Sequence, residues 1–136
     1  MAVAKGELGE PAGIQDAGPH GSLELGEGIS LELVLPPVVD CLVEHGEVVA
    51  LVKPQFEVGR GKVDRGGIVR APELHRAVLE RMVRFAANRA WSVLGVTRSP
   101  IRGARGNVEF FLHFSRRPGD SIGRPGGDMI EAAMRG

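Results

Sequence analysis

The sequence predicts a single α/β domain whose last two strands form an antiparallel pair. Residues 47–52 form a nearly continuous apolar run of strand length, and residues 72–89 carry apolar side chains at spacings of three and four. The first pattern is typical of a strand and the second of an amphipathic helix. Two further apolar runs, 92–97 and 108–114, are joined by the turn-like segment 99–106, which suits an antiparallel connection.

The elements before the basic loop follow in chain order. Residues 1–28 are rich in Gly, Pro and acidic side chains, which predicts an irregular or disordered leader without function. Apolar residues after it predict a short helix that begins at Pro36 or shortly before it and stops near His45 and Gly46. Residues 47–52 then predict a strand covered on both faces, with Lys53 at its carboxyl end.

A basic loop and a second helix come next. Residues 54–70 contain four glycines among cationic side chains, which predicts a long loop without a regular element. Pro72 suits the first turn of the helix that follows. Residues 116–136 predict a mobile tail with a brief helix at 129–134. We therefore expect three regions, namely a leader (1–28), a partial domain (29–115) and the tail.

Composition excludes several classes of protein. The 136-residue chain is 43% hydrophobic, enough for one core, and has a single cysteine, so an internal disulfide is excluded. Its histidines lack partners at metal-binding spacing, so we expect no metal. No apolar run approaches the roughly 20 residues of a membrane span. We expect a cytoplasmic protein without a membrane partner.

The net charge of zero hides an asymmetry along the chain. Residues 1–52 hold nine acidic residues and one basic residue, whereas residues 53–105 hold twelve basic and four acidic residues. A cationic middle segment indicates a polyanionic partner such as RNA, whose phosphates bind cationic side chains. A solvated basic loop is the alternative. The candidate RNA-binding residues are Arg60, Lys62, Arg65 and Arg70.

Separated motifs in one order point to a known family. They lie at residues 51–60, around Lys53-Pro54-Gln55-Phe56, and at 66–70, 99–101 and 106–110. Together they resemble the C-terminal half of the TlyA-type (hemolysin A), FtsJ-like ribosomal RNA methyltransferases, from about Ile29 to Phe114. The resemblance implies the C-terminal portion of a Rossmann-like, S-adenosylmethionine-dependent methyltransferase sheet that ends in an antiparallel strand pair.

The resemblance also implies an activity and a site. Members of the family use S-adenosylmethionine to methylate the 2′-hydroxyl of cytidine in ribosomal RNA, with a Lys-Asp-Lys-Glu tetrad. Lys53 matches the second lysine of the tetrad and Glu109 matches its glutamate. Residues 25–28 have no aspartate where the family has one, and the first lysine, the glycine-rich cofactor loop and the N-terminal RNA-binding domain have no counterpart. We therefore expect a fragment that is inactive alone and does not itself bind the cofactor.

The chemistry gives a separate reason for these residue types. Methyl transfer to a ribose hydroxyl needs a base or a cation within hydrogen-bond reach of the oxygen. Glu109 can orient the Lys53 ammonium, and the sequence leaves open which role the lysine has. Gln55 and Asn107 are weaker candidates for positioning substrate, with loop hydrogen bonding as the alternative. A non-catalytic RNA-binding module and a remnant without function remain as other readings.

Overall fold

The computed structural model describes residues 2–5, 20–23, 29–59, 61–119 and 127–136. The strands in these ranges are β1 (Ala2–Lys5), β2 (His20–Leu23), β3 (Glu47–Val52), β4 (Ser92–Arg98) and β5 (Phe110–Ser115). The helices are α1 (Leu31–Asp40), α2 (Pro54–Glu57), α3 (Pro72–Asn88) and α4 (Gly127–Arg135), with a 3-10 turn at Ala104–Gly106. The predicted α/β class is confirmed.

The described strands form one sheet in the order β2-β1-β3-β5-β4, and every pairing in it is antiparallel. The β4–β5 pair is the antiparallel pair that the sequence predicts. β5 lies between β3 and β4, which run in the same direction without touching each other. A parallel pair of the Rossmann type does not occur among these described strands, so that part of the fold prediction is not confirmed.

The sheet has a helix-covered face and an open face. On β3, Val48, Ala50 and Val52 are fully buried, and their side chains belong to one core cluster with α1, α3 and α4. Val49, between them, is 36% exposed. The prediction that this strand is covered on both faces is therefore wrong, because burial alternates along it as in a sheet with one solvated face.

Helix α1 begins earlier than predicted. It starts at Leu31 instead of near Pro36, with Ser30 as its N-cap, and it ends at Asp40 instead of near His45 and Gly46. The start depends on a distant residue, because the Leu31 backbone N–H donates to the carboxylate of Glu57 at 2.9 Å. A contact across 26 positions leaves no local pattern in the sequence.

Three other segments differ from the sequence predictions. The leader contributes the backbone of β1 and β2, where loops were predicted. α2 forms a helical turn inside the predicted loop. α4, which contains the predicted helix at 129–134, packs on the core through Ile130 and Ala133, each 3% exposed, where a mobile tail was predicted. In each case packing against the sheet or its helices overrides weak local preference.

Candidate active site

Lys53 and Glu109 face each other across two neighbouring strands. Val52 pairs with Phe110 in the β3–β5 ladder, so the residues one step beyond that pair, Lys53 and Glu109, stand opposite each other at the ends of the strands. Their side chains lie on the open face, with Lys53 Nζ 3.8 Å from Glu109 Oε2. The structure thus brings together the two residues that the resemblance assigned to the tetrad.

The two partners differ in burial. The Lys53 side chain is 33% exposed, whereas that of Glu109 is 7% exposed. Glu109 Oε2 is buried and has no hydrogen-bond partner among the described residues. An ionised oxygen in this state has lost hydration without full replacement, which is costly for the folded protein. This oxygen therefore keeps an unused hydrogen-bonding capacity within the described structure.

A close approach at Gly103 holds the Glu109 carboxylate in place. A Cβ atom at position 103 would overlap the carboxylate group of Glu109. The loop that carries Gly103 is closed by two backbone hydrogen bonds, Ser99 N to Glu109 O and Gly103 N to Asn107 O, both 2.8 Å. Glycine is required at position 103 because the carboxylate occupies the space of a side chain.

Asn107 joins this loop to the basic loop. Its side chain is fully buried, and its Oδ1 accepts from the Val69 backbone N–H at 3.0 Å. Its Nδ2 donates to the carbonyls of Gly67 at 2.9 Å and Ala104 at 3.0 Å. These contacts correspond to the loop-bonding alternative, and direct contact of Asn107 with substrate stays a prediction.

Gln55 lies on α2, two residues after Lys53. Its Oε1 is buried, and none of the described residues offers it a hydrogen bond. Lys53 Nζ lies 5.9 Å from the ring centroid of Phe56, the next residue along. Gln55 therefore lies beside the pair and carries a buried acceptor that the described residues leave unsatisfied.

The predicted RNA-binding residues lie on the surface of the basic loop. Lys62, Arg65 and Arg70 are exposed, and Arg70 Nη1 lies 3.7 Å from Asp64 Oδ2. Arg60 lies outside the described residues. The exposed cations are free to contact phosphates because exposed ion pairs such as Arg70–Asp64 are weak.

A groove of about 250 Å³ extends this cationic surface. Arg70 lines it together with Arg98 and Arg102, which sequence reasoning had not selected. Arg102 donates to the Gly106 carbonyl at 3.0 Å, which holds it along the turn. The density of arginines in residues 98–105 was the signal that could have identified them.

A buried carboxylate, Glu57, holds the segment that follows Lys53, and the sequence did not identify it. Glu57 is 5% exposed and accepts hydrogen bonds from Ser30 Oγ at 2.7 Å and Arg81 Nη2 at 2.9 Å, besides the one from Leu31. These contacts tie α2, which follows Lys53 directly, to α1 and α3. No sequence signal identifies this role, because the partners lie 24 to 27 positions away.

The described residues do not by themselves fit S-adenosylmethionine. Open α/β sheets bind such cofactors beside a glycine-rich turn at the carboxyl ends of parallel strands. β3 has antiparallel neighbours on both sides. Within the described ranges, no group of three or more His, Cys, Asp or Glu is suited to a metal, and no helix is long and apolar enough to cross a membrane.

The chain is similar to known proteins over much of its length. The model of the FtsJ-like methyltransferase family matches residues 16–116, which begins before the Ile29 of the motif resemblance. The chain is 46% identical over 103 residues to YqxC, a candidate rRNA methyltransferase of Bacillus subtilis (strain 168), covering 76% of this chain and 36% of that protein.

Two further relatives agree. The 16S/23S rRNA (cytidine-2′-O)-methyltransferase TlyA of Mycobacterium tuberculosis (strain ATCC 25618 / H37Rv) is 46% identical over 84 residues, covering 62% of this chain and 31% of that protein. The crystal structure of a candidate hemolysin from Lactococcus lactis superposes with a TM-score of 0.72 at 41% identity, covering 81% of this chain and 51% of that one. The chain thus spans about a third of the length of these two curated relatives.

Proposed function

This chain belongs to the FtsJ-like methyltransferase family, in its TlyA (hemolysin A) type, and on that premise we propose that it is part of an rRNA (cytidine-2′-O)-methyltransferase. It supplies Lys53 and Glu109 of the catalytic site and a cationic surface for ribosomal RNA. The whole enzyme uses S-adenosylmethionine as methyl donor and works in the cytoplasm. The fragment is inactive alone.

The observation that carries this proposal is the Lys53–Glu109 pair. At 3.8 Å, Lys53 Nζ is too far from Glu109 Oε2 for a hydrogen bond. Glu109 Oε2 also has no other hydrogen-bond partner within the described structure. A ribose 2′-hydroxyl placed between them can donate to the carboxylate while the lysine contacts its oxygen. Fixing the hydroxyl in this way orients the nucleophile and removes the entropy cost of aligning it.

The cationic residues have a separate task. Lys62, Arg65, Arg70 and Arg60 contact phosphates, and the groove lined by Arg98 and Arg102 extends their reach. Phosphate contacts supply affinity and register without reading sequence. Methyl transfer and RNA affinity should therefore depend on different residues.

The test compares two variants in a full-length relative or a reconstituted complex. Lys53→Ala should abolish single-turnover methyl transfer while RNA affinity stays nearly unchanged. Lys62→Ala should weaken RNA binding and reduce its salt dependence, with a smaller effect on the rate at saturating RNA. If Lys53→Ala kept most of the single-turnover rate, the catalytic assignment would be rejected.

The fragment proposal has its own test. Titration calorimetry of the 136-residue chain with S-adenosylmethionine should give no saturable heat, because the described residues do not form a cofactor cradle. Saturable binding at micromolar cofactor would contradict the fragment proposal.

A non-catalytic RNA-binding module is the second candidate, favoured by the arginine-lined groove. Salt-dependent RNA binding, with no methyl transfer from any complex containing the chain, would select it. A remnant without function is less well supported. A remnant that had lost its neighbouring strands would leave an unpaired apolar edge at β3, whereas β3 is paired on both sides.

A further inference from the structure

A small cleft opens beside the Lys53–Glu109 pair, between α2 and the 3-10 turn. Its volume is about 100 Å³. This is smaller than the cavity of about 150 Å³ that encloses a benzene ring, but the cleft is partly open, so a flat ring can enter it without being fully enclosed. The cleft is lined by Gln55, Phe56, Gly67, Ala104, Arg105 and Asn107.

One residue that lines the cleft carries a polar atom with an unused hydrogen bond. Gln55 Oε1 is buried without a partner among the described residues, whereas buried side-chain oxygens in folded proteins nearly always have one. The other buried amide at the cleft, that of Asn107, has all its contacts within the chain. Gln55 is therefore the lining residue of this cleft that keeps an unsatisfied acceptor within the described structure.

On each side of the cleft, a lining residue is next to one member of the Lys53–Glu109 pair. On one side, the Phe56 ring centroid lies 5.9 Å from Lys53 Nζ. On the other side, Ala104 follows Gly103, where a Cβ atom would overlap the Glu109 carboxylate. A nucleotide whose ribose lies between Lys53 and Glu109 therefore has its own base next to this cleft.

We propose that the cleft receives the base of the target nucleotide and that Gln55 Oε1 accepts a hydrogen bond from the exocyclic amine of cytosine. The proposal rests on the proposed function and adds the residue that selects the base. Cytosine presents an amine donor where uracil presents a carbonyl acceptor, so an acceptor in the cleft favours cytosine.

The remaining walls suit a base that has left its stack. Aromatic rings and arginine guanidinium planes are the groups on which unstacked RNA bases pack. Phe56 supplies such a ring, and Arg105 supplies a guanidinium that passes over Gly67. Arg105 lies in the 3-10 turn that borders the cleft and has a left-handed backbone, with φ of 58°.

The experiment uses the 136-residue chain and two single-stranded RNA hexamers, oligo(C) and oligo(U), which carry equal charge. Fluorescence anisotropy at fixed salt should show that the wild-type chain binds oligo(C) about fivefold to tenfold more tightly than oligo(U). This ratio is at the low end of the range for one contact that reads a base. Gln55→Ala should bring this ratio to about one while the affinity for oligo(U) stays unchanged. Gln55→Glu, which retains only acceptor oxygens, should keep the preference for oligo(C).

Lys62→Ala serves as the matched control, because it should weaken both complexes equally and leave the ratio intact. Equal binding of the two hexamers by the wild-type chain would overturn the base-selection proposal and leave RNA binding in place. Failure of both hexamers to bind would overturn the proposed function itself.

A second readout is the Gln55 side-chain amide signal in NMR spectra. It should shift on adding oligo(C) and stay fixed with oligo(U); the opposite pattern would overturn the proposal.

Discussion

The two ends of the β3–β5 strand pair carry similar residues in different states. At one end, here called the distal end, Glu47 Oε1 lies 2.9 Å from His113 Nε2, and both side chains are at least one-third exposed. At the other, the proximal end, Lys53 and Glu109 lie 3.8 Å apart and the carboxylate is buried. Both pairs lie on the open face, so the difference comes from the loops around them.

The two ends differ in how completely their side chains are packed and hydrogen-bonded. Around the distal end, the Trp91 ring stacks on Phe114 at 4.9 Å, and Ser92 Oγ donates to the Arg117 carbonyl at 2.6 Å. Around the proximal end, buried oxygens of Glu109 and Gln55 have no hydrogen-bond partner within the described structure. Incompletely paired polar groups reduce stability and are tolerated where a ligand completes them.

The largest expected effect is on the distal end. Phe114→Ala should lower the free energy of unfolding by about 3–5 kcal/mol, because it empties a fully buried position and removes the stack on Trp91. Phe56→Ala, at the half-buried proximal position, should cost about 1 kcal/mol. Urea unfolding of both variants measures the difference. Equal losses would remove the distinction between the two ends.

The next effect tests the scaffold of the proximal end. Asn107→Ala should lower the free energy of unfolding by about 2–3 kcal/mol, because the buried Val69 N–H loses its acceptor. Asn107→Asp keeps that acceptor and should lose less. Asn88→Ala, at an exposed helix end, should change the free energy by less than about 0.5 kcal/mol and serves as the control. If Asn88→Ala lost as much free energy of unfolding, the loss in Asn107→Ala could not be assigned to the buried hydrogen bonds that join the two loops.

A smaller change in stability should accompany a large change in rate at Gly103. Gly103→Ala displaces the buried Glu109 carboxylate, which is the end of a side chain that can rotate, so the free energy of unfolding should fall by about 1 kcal/mol, the low end of the range for overpacking. Single-turnover methyl transfer in a full-length relative carrying this change should fall about 10-fold to 100-fold, because the reacting groups lose alignment. Gly95→Ala, where a Cβ meets no described atom within 4 Å, should leave both quantities unchanged. An equal rate loss in Gly95→Ala would contradict the role of the close approach.

The smallest effect compares the two carboxylates directly. Glu47→Gln should lower the free energy of unfolding by about 0–1 kcal/mol, because the hydrogen-bonded contact with His113 is exposed. Glu109→Gln should leave it unchanged or raise it by less than about 1 kcal/mol, because the buried carboxylate is incompletely paired. Paired urea titrations measure the sign. A larger loss for Glu109→Gln would mean that the proximal pair stabilises the fold.

The sequence predicted the elements with strong periodicity. β3, α3 and β4 lie within one or two residues of their predicted positions, because continuous apolar runs and helical apolar spacing mark segments that pack in the core. The start of α1 was missed because it depends on Glu57, far along the chain. The helical turn of α2 was missed because four residues give no periodicity.

The same limit applied to the candidate site. Lys53 and Glu109 could be selected because each lies in a recognisable motif, and the structure places them opposite each other. The availability of Gln55 Oε1 and the close approach at Gly103 could not be predicted, because both depend on which atoms meet after folding. Asn107 was selected, and its buried contacts with two loops became visible only in three dimensions.

The position of β5 between β3 and β4 has a consequence for synthesis on the ribosome. Both flanking strands emerge before the strand that joins them, and the interval from residue 98 to residue 115 takes about 1–3 s at ordinary translation rates. During that interval, the edge of β3 and the edge of β4 that will pair with β5 are both unpaired. Unpaired strand edges favour pairing with other chains. A slower arrival of β5 therefore lengthens the time in which β3 and β4 can pair with other chains.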